Sequence, residues 1–198
     1  TKKVNLFEKK FVFVPINLNS HWFLAVVCYP GLLKTVTPDE RRELVKVWVN
    51  SLKRLKIVLK YFLYIFSTSI LVFDSSKSSL TGKQAHARVA SELRDYFAME
   101  LRTKFPTAHS IEGEKMKEIV LDVPQQPNGY DCGIFLLEYV ERFQKNPAEL
   151  VLQPSKSHLG WFDPKQGVSN NRRNISDIIK RLMTSQGRNP NSLPEIKF

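Results

Sequence analysis

Apolar residues recur along this chain in two rhythms. The stretch "FVFVPIN", 11–17, sets β-branched and aromatic residues side by side, which predicts a strand, and Pro15 marks an edge position or a bulge. After the short polar-tipped link Leu18-Asn19-Ser20 comes "HWFLAVVCY", 21–29, nearly continuously apolar as in a strand covered on both faces. The two read as a hairpin, ended by Pro30 and Gly31. From Pro38 to Lys60 the period lengthens: Leu44, Val45, Val47, Trp48, Leu52, Leu55 and Val58 recur at three- and four-residue spacing behind Asp39 and Glu40, predicting a helix. A strand follows in "SILVFDSS", 69–76, then an amphipathic helix over 82–105 ahead of Pro106. The strand "EIVLDV", 118–123, a helix from Cys132 to Phe143 and a terminal helix over 171–185 complete the pattern. Strand, strand, helical insert, strand, helix, strand, helix is an α+β order, with a small, mainly antiparallel sheet packed on helices.

Length and composition narrow the class. A chain of 198 residues with 42% hydrophobic and 25% charged positions makes one domain, or most of one. Two cysteines, Cys28 and Cys132, are too few for a disulfide framework and read as free thiols of a reducing compartment. The net charge of +11 is spread over the start, over Arg41–Lys60 and over the tail, without stacking aromatics or zinc-finger spacing. It reads as solvated faces and a general attraction to acidic proteins, not as a nucleic-acid site. The most apolar run, 57–73, is broken by Lys60 and by Ser67-Thr68-Ser69, short of the ~20 apolar residues a bilayer crossing needs.

Candidate chemistry concentrates at element ends. If strands 21–29 and 69–74 pair antiparallel, His21 at the start of one lies beside Asp74 at the end of the other. A carboxylate beside an imidazole fixes the ring tautomer and stabilises its charged form, as a catalytic base requires. In "VPQQPNGYDCGIFLLEYVERF", 123–143, Asn128-Gly129 signals a turn and Cys132 opens a helix, whose N-terminal partial charge favours a thiolate. Gly133 leaves the sulfur unobstructed, and Gln126 can offer its amide to an oxyanion. Singly, each feature has an ordinary alternative: a structural Cys-Gly, an exposed strand-end His, an Asp that caps the Ser75-Ser76 turn. Their joint placement separates them from that background. Cys28 reads as core; His86 in a helix and His109 and His158 in loops are left out of the site. No metal-ligand spacing and no glycine-rich phosphate loop occur in the sequence.

The stretches "HWFLAVVCYPG", "LVFDSS", "QQPNGYDCGIFLLEYVERF" and "GWFDP…NRRNISDIIKRLM" together resemble the SUMO-specific (sentrin, Ulp-type) cysteine proteases, nearest the chain-editing branch that carries an insert between its His and Asp strands. The resemblance implies a papain-like α+β fold. It also implies His21 as general base, Asp74 as its orienting acid, Cys132 as nucleophile, Gln126 as oxyanion donor and Trp22, otherwise a strand aromatic of the core, as roof of the substrate channel; Gly133, read above as leaving the sulfur open, joins it as a substrate-binding position. The implied reaction is thiolate attack on a Gly–Lys isopeptide bond of SUMO conjugates or poly-SUMO chains, through a thioester that water releases. Implied too are no cofactor, no metal, no direct nucleic-acid partner, no membrane, a monomer and residence in the nucleus, with the cytoplasm second. In the family a helical segment precedes the "VFVPIN" strand; here the chain begins at Thr1, so the expected organisation is a partial catalytic domain over 1–185, incomplete at its N-terminus, with an apolar insert at 31–68 and a flexible tail at 186–198. Three alternatives stay open: an inactive member that binds SUMO or a partner, a protease for another ubiquitin-like modifier, and a basic nucleic-acid-associated protein.

Overall fold

The computed structural model describes residues 4–34, 68–76, 82–106 and 116–194. Strands β1 (Phe11–Leu18), β2 (His21–Cys28), β3 (Ser69–Phe73) and β4 (Lys117–Val120) form one sheet in that spatial order. The first two pairings are antiparallel, with Leu18 opposite His21 and Leu24 opposite Phe73; β3 and β4 run parallel, Ile70 opposite Glu118. The sheet is thus mainly antiparallel, as predicted, with one parallel pair. The parallel pair follows from its connection, because helix α1 (Gly82–Lys104) lies between β3 and β4 and returns the chain to the same end of the sheet.

The hairpin closes on two residues, Asn19 and Ser20, both at positive φ (51° and 63°). That mirror-image turn matches the right-handed twist of the strands and locks the register that places His21 first on β2. Strands β2 and β3 are apolar on both faces because both faces are covered. Leu24, Val26, Leu71 and Phe73 pack under helices α2 (Cys132–Lys145) and α3 (Pro147–Leu152). Phe23, Ala25, Val27, Ile70 and Val72 pack with Val89, Ala90, Phe97 and Leu101 of α1. Phe143 meets Phe11, Phe13 and Phe73 edge-on, at ring separations of 4.9, 5.3 and 6.1 Å. Phe73 and Phe143, fully buried, each contribute about 1.5–3 kcal/mol by transfer alone.

The fourth strand is shorter than the predicted 118–123. Beyond Val120 the Leu121 N–H still reaches the Val72 carbonyl at 2.9 Å, but the regular ladder stops, since β3 ends at Phe73 and Pro124 has no donor. The last long helix, α4 (Pro164–Ser185), begins seven residues before the predicted 171, because Asp163 accepts from Gln166 N at 2.9 Å and Pro164 sits at the first helical position. Helix α3 has the same start, with Asn146 as cap and Pro147 following. After α4, Gly187 at φ +69° turns its N–H to Thr184 O and sends Arg188 N to Met183 O, satisfying two end carbonyls. A short 3-10 turn, Pro190–Ser192, follows. The helix predicted over 38–60, and with it most of the insert, lies outside the described residues.

Candidate active site

The site grows from the ends of β2 and β3. Asp74 leaves β3 buried at 5% exposure, and three N–H groups converge on its carboxylate. His21 Nε2 donates to Oδ1 at 2.7 Å, Ser76 N to the same oxygen at 2.8 Å, and His86 Nε2 to Oδ2 at 2.7 Å. The turn-capping role open to Asp74 from sequence and its pairing with His21 thus coexist. An ionised carboxylate only accepts, so both imidazoles carry hydrogen on Nε2, which leaves the His21 Nδ1 lone pair available for a proton. Burial alone would raise the Asp74 pKa; the bonds from His86, Ser76 and His21 outweigh it and hold the carboxyl below its ordinary range. Phe23 lies between the two imidazoles, stacked on His21 at 6.3 Å and edge-on to His86 at 5.2 Å.

Cys132 opens α2 and is buried, at 5% exposure. A Cβ built on its neighbour Gly133 would stand 4.0 Å from Trp22 Cδ1, so the start of α2 lies directly beside the start of β2. Trp22 itself is 41% exposed, a surface aromatic at the mouth of the site and not a core one.

The loop before the cysteine is built by side chains. Asn128 Oδ1 accepts from Tyr130 N at 3.1 Å and Asp131 N at 3.0 Å, and Asn128 Nδ2 donates to Asp131 Oδ2 at 2.7 Å. Asp131 occupies the cap position of α2 without capping it; its other oxygen receives Arg172 Nη2 from α4 at 2.6 Å. Gln126 is oriented by Ser75 Oγ, which donates to Oε1 at 2.6 Å, and its Nε2 donates to Asn128 O at 2.6 Å. An amide nitrogen has two hydrogens, so the second can serve an incoming oxygen. His21, Ser75, Gln126, Asn128 and Gly129 line a cleft of about 690 Å³. Replacing Arg172 by Met, which strands the buried Asp131 carboxylate, is expected to cost about 1–3 kcal/mol, read as a lower urea midpoint.

Cys28, read as core, is completely buried, and burial pushes its thiol up to about 12. Both cysteines are free. The sequence reading leaves His86 out and gives no role to Asp131 or Arg172, whereas Asn128, read there as part of a turn, holds that turn with its side chain. His86 had a signal: it falls on the stripe of α1 with Ala85, Val89 and Ala90, all buried. Arg172 had none, since its partner is 41 residues away.

His158, left out as a loop residue, is buried against Trp161 at a ring separation of 4.5 Å, and burial pushes its imidazole down. The folded state therefore resists a proton that the unfolded chain takes near pH 6.5. Stability should be level above that pH and fall below it. In His158→Phe the drop in urea midpoint between about pH 7.5 and pH 5.5 should shrink.

Among the described residues no three His, Cys, Asp or Glu side chains group as metal ligands would. Nor, among them, is any helix long and apolar enough to cross a membrane.

Residues 1–178 match the model of the Ulp1 protease family, C-terminal catalytic domain. The chain is 28% identical to human sentrin-specific protease 7, over 97% of this chain and 20% of that protein. It is 32% identical to the Arabidopsis thaliana protein named probable ubiquitin-like-specific protease 2A, over 98% of this chain and 22% of that one. With ubiquitin-like-specific protease 2 of Schizosaccharomyces pombe the identity is 31%, over 96% of this chain and 30% of the relative. The chain thus spans less than a third of the length of these curated relatives. Among solved structures, a de-sumoylating protease is similar at 24% identity and a TM-score of 0.49, over 87% of this chain and 54% of that one.

Proposed function

We propose that this chain, which belongs to the Ulp1 protease family through its C-terminal catalytic domain, is a cysteine peptidase that removes SUMO from its conjugates or chains. The carrying observation is the 2.7 Å bond from His21 Nε2 to the buried Asp74, at the strand end beside which α2 presents Cys132. In this reading His21 Nδ1 takes the thiol proton and the sulfur attacks the carbonyl of the Gly–Lys isopeptide bond. Gln126 Nε2 steadies the oxyanion as the tetrahedral adduct forms. The lysine amine leaves with the proton from His21, and water, deprotonated by the same ring, releases the thioester. Exposed Trp22 lies beside side-chain-free Gly133, next in sequence to Cys132, a setting that suits an extended tail of small residues.

The reading treats 1–185 as one catalytic domain with an insert at 31–68, followed by residues 186–198. It acts as a monomer in the nucleus, where imaging of a fluorescent fusion would find it.

The discriminating experiment is cleavage of fluorophore amides carried on the C-termini of SUMO, ubiquitin and a third ubiquitin-like protein. Release from SUMO at least tenfold faster than from the others is expected. Preference for another modifier would overturn the substrate, and SUMO binding without release would point to a binding module.

A further inference from the structure

We propose that His86 is a positioning residue of this site: its imidazole holds the second oxygen of Asp74 so that the first stays aimed at His21. The inference rests on the peptidase reading for its meaning and on the 2.7 Å His86 Nε2–Asp74 Oδ2 bond for its geometry. An aspartate's terminal torsion is broad and nearly two-fold, so bonds to one oxygen leave the carboxylate plane free to rock. His21 and Ser76 both engage Oδ1. His86 alone of these three donors anchors the opposite oxygen, and it does so from α1, a 23-residue helix packed on the sheet through Val89, Ala90, Phe97 and Leu101.

The setting suits that task. His86 is 7% exposed, and its ring packs edge-on against Phe23, so water cannot readily take its place at Oδ2. The charged and titratable groups facing it are Asp74 directly and His21 across the carboxylate; Tyr139 of α2 feels the charge of Asp74 from the other side of the sheet, its hydroxyl donating to Pro124 O. On its own helix Lys83 is exposed and Arg88 pairs with Glu92. His86 touches no reacting atom in this arrangement; it acts through Asp74.

The test compares His86→Gln, whose amide nitrogen can stand where Nε2 stood, with His86→Asn, one methylene too short. His86→Leu serves as a third variant. Both amides are polar and similar in shape, so a difference between them reports the bond and not tolerance of the site. For cleavage of the SUMO fluorophore amide, His86→Asn and His86→Leu should lower kcat about tenfold with KM within about twofold, and His86→Gln should recover most of the loss. The alkaline limb of the pH–rate profile should move to lower pH in His86→Asn, because a carboxylate that rocks holds the imidazolium less well. A second readout needs no substrate: alkylation of Cys132 by iodoacetamide, with Cys28 silent because its thiol is buried and pushed up to about 12. The rate retained at about pH 6 relative to pH 9 reports a thiolate held by its imidazolium. It should fall three- to tenfold in His86→Asn and hold in His86→Gln.

A melting temperature lowered in His86→Asn with unchanged kcat, pH profile and alkylation ratio would overturn the proposal, leaving His86 a packing residue. So would a His86→Gln variant as impaired as His86→Asn, or an alkaline limb that moves up. If the wild-type chain does not cleave SUMO, the alkylation arm still decides the role of His86, so failure of the substrate reading and failure of this inference are read separately.

Discussion

Cys132→Ala should abolish peptidase activity, lowering kcat by at least about 10³-fold, while the protein stays folded. No other group can form the thioester: the second thiol, Cys28, is buried in the sheet. Removing the nucleophile from such a relay leaves only binding and oxyanion stabilisation, and the remaining members contribute little without it. The substitution deletes one sulfur from a site that keeps its Cβ, next to a loop held by Asn128, Asp131 and Arg172. Its cost to stability should stay near 1 kcal/mol, the low end for buried truncations. Release of fluorophore from the SUMO substrate, with circular dichroism as a folding control, checks both halves. Turnover surviving in Cys132→Ala would place the nucleophile elsewhere.

Asp74→Asn should damage catalysis and folding together. The carboxylate accepts from two imidazoles and one backbone amide. An asparagine has one accepting oxygen, and its NH₂ must then face an imidazole N–H. Either His21 or His86 loses its acceptor, or one ring changes tautomer; for His21 that presents Nδ1–H, not a lone pair, to the thiol. A kcat loss of about 10²- to 10⁴-fold follows, as expected when a base is held in the wrong tautomer. Each unmatched buried donor costs about 1–3 kcal/mol, which urea unfolding at pH 7 would read. The acid side carries a second signature. Asp74 is held below the 3.8 of an ordinary aspartate, so its contribution is complete above that pH and is lost as pH falls through the lower folded value. The asparagine variant should lack that part of acid unfolding. Equal activity in the two proteins would remove Asp74 from the mechanism.

How legible the molecule was depended on whether the interaction was local. The hairpin, β3, α1 and α2 announce themselves through periodicity and turn residues, because two covered faces demand unbroken apolar runs and an amphipathic helix demands its stripe. Asp163-Pro164 and Asn146-Pro147 carry equally local cap signals, and they start α4 and α3. Neither the end of β4 at Val120 nor its parallel pairing is written in 118–123; both depend on where β3 ends and how α1 returns. At the site, His21 and Asp74 followed from one assumed pairing. Asp131 with Arg172, and His86 with Asp74, did not, because a partner joined only by the tertiary fold leaves no spacing to read. His86 is the instructive case: helical phase placed it on the buried face, and only the sheet decides what it meets there.

The spacing of the two imidazoles along the chain bears on how the site assembles. Asp74 lies 12 residues from His86 and 53 from His21. Loop-closure entropy rises with the logarithm of that distance, making the longer contact harder to form by about 1 kcal/mol. During folding the carboxylate is therefore expected to meet its helical partner more readily than its strand partner, so that His21, the base of the proposed reading, joins an acid already tethered.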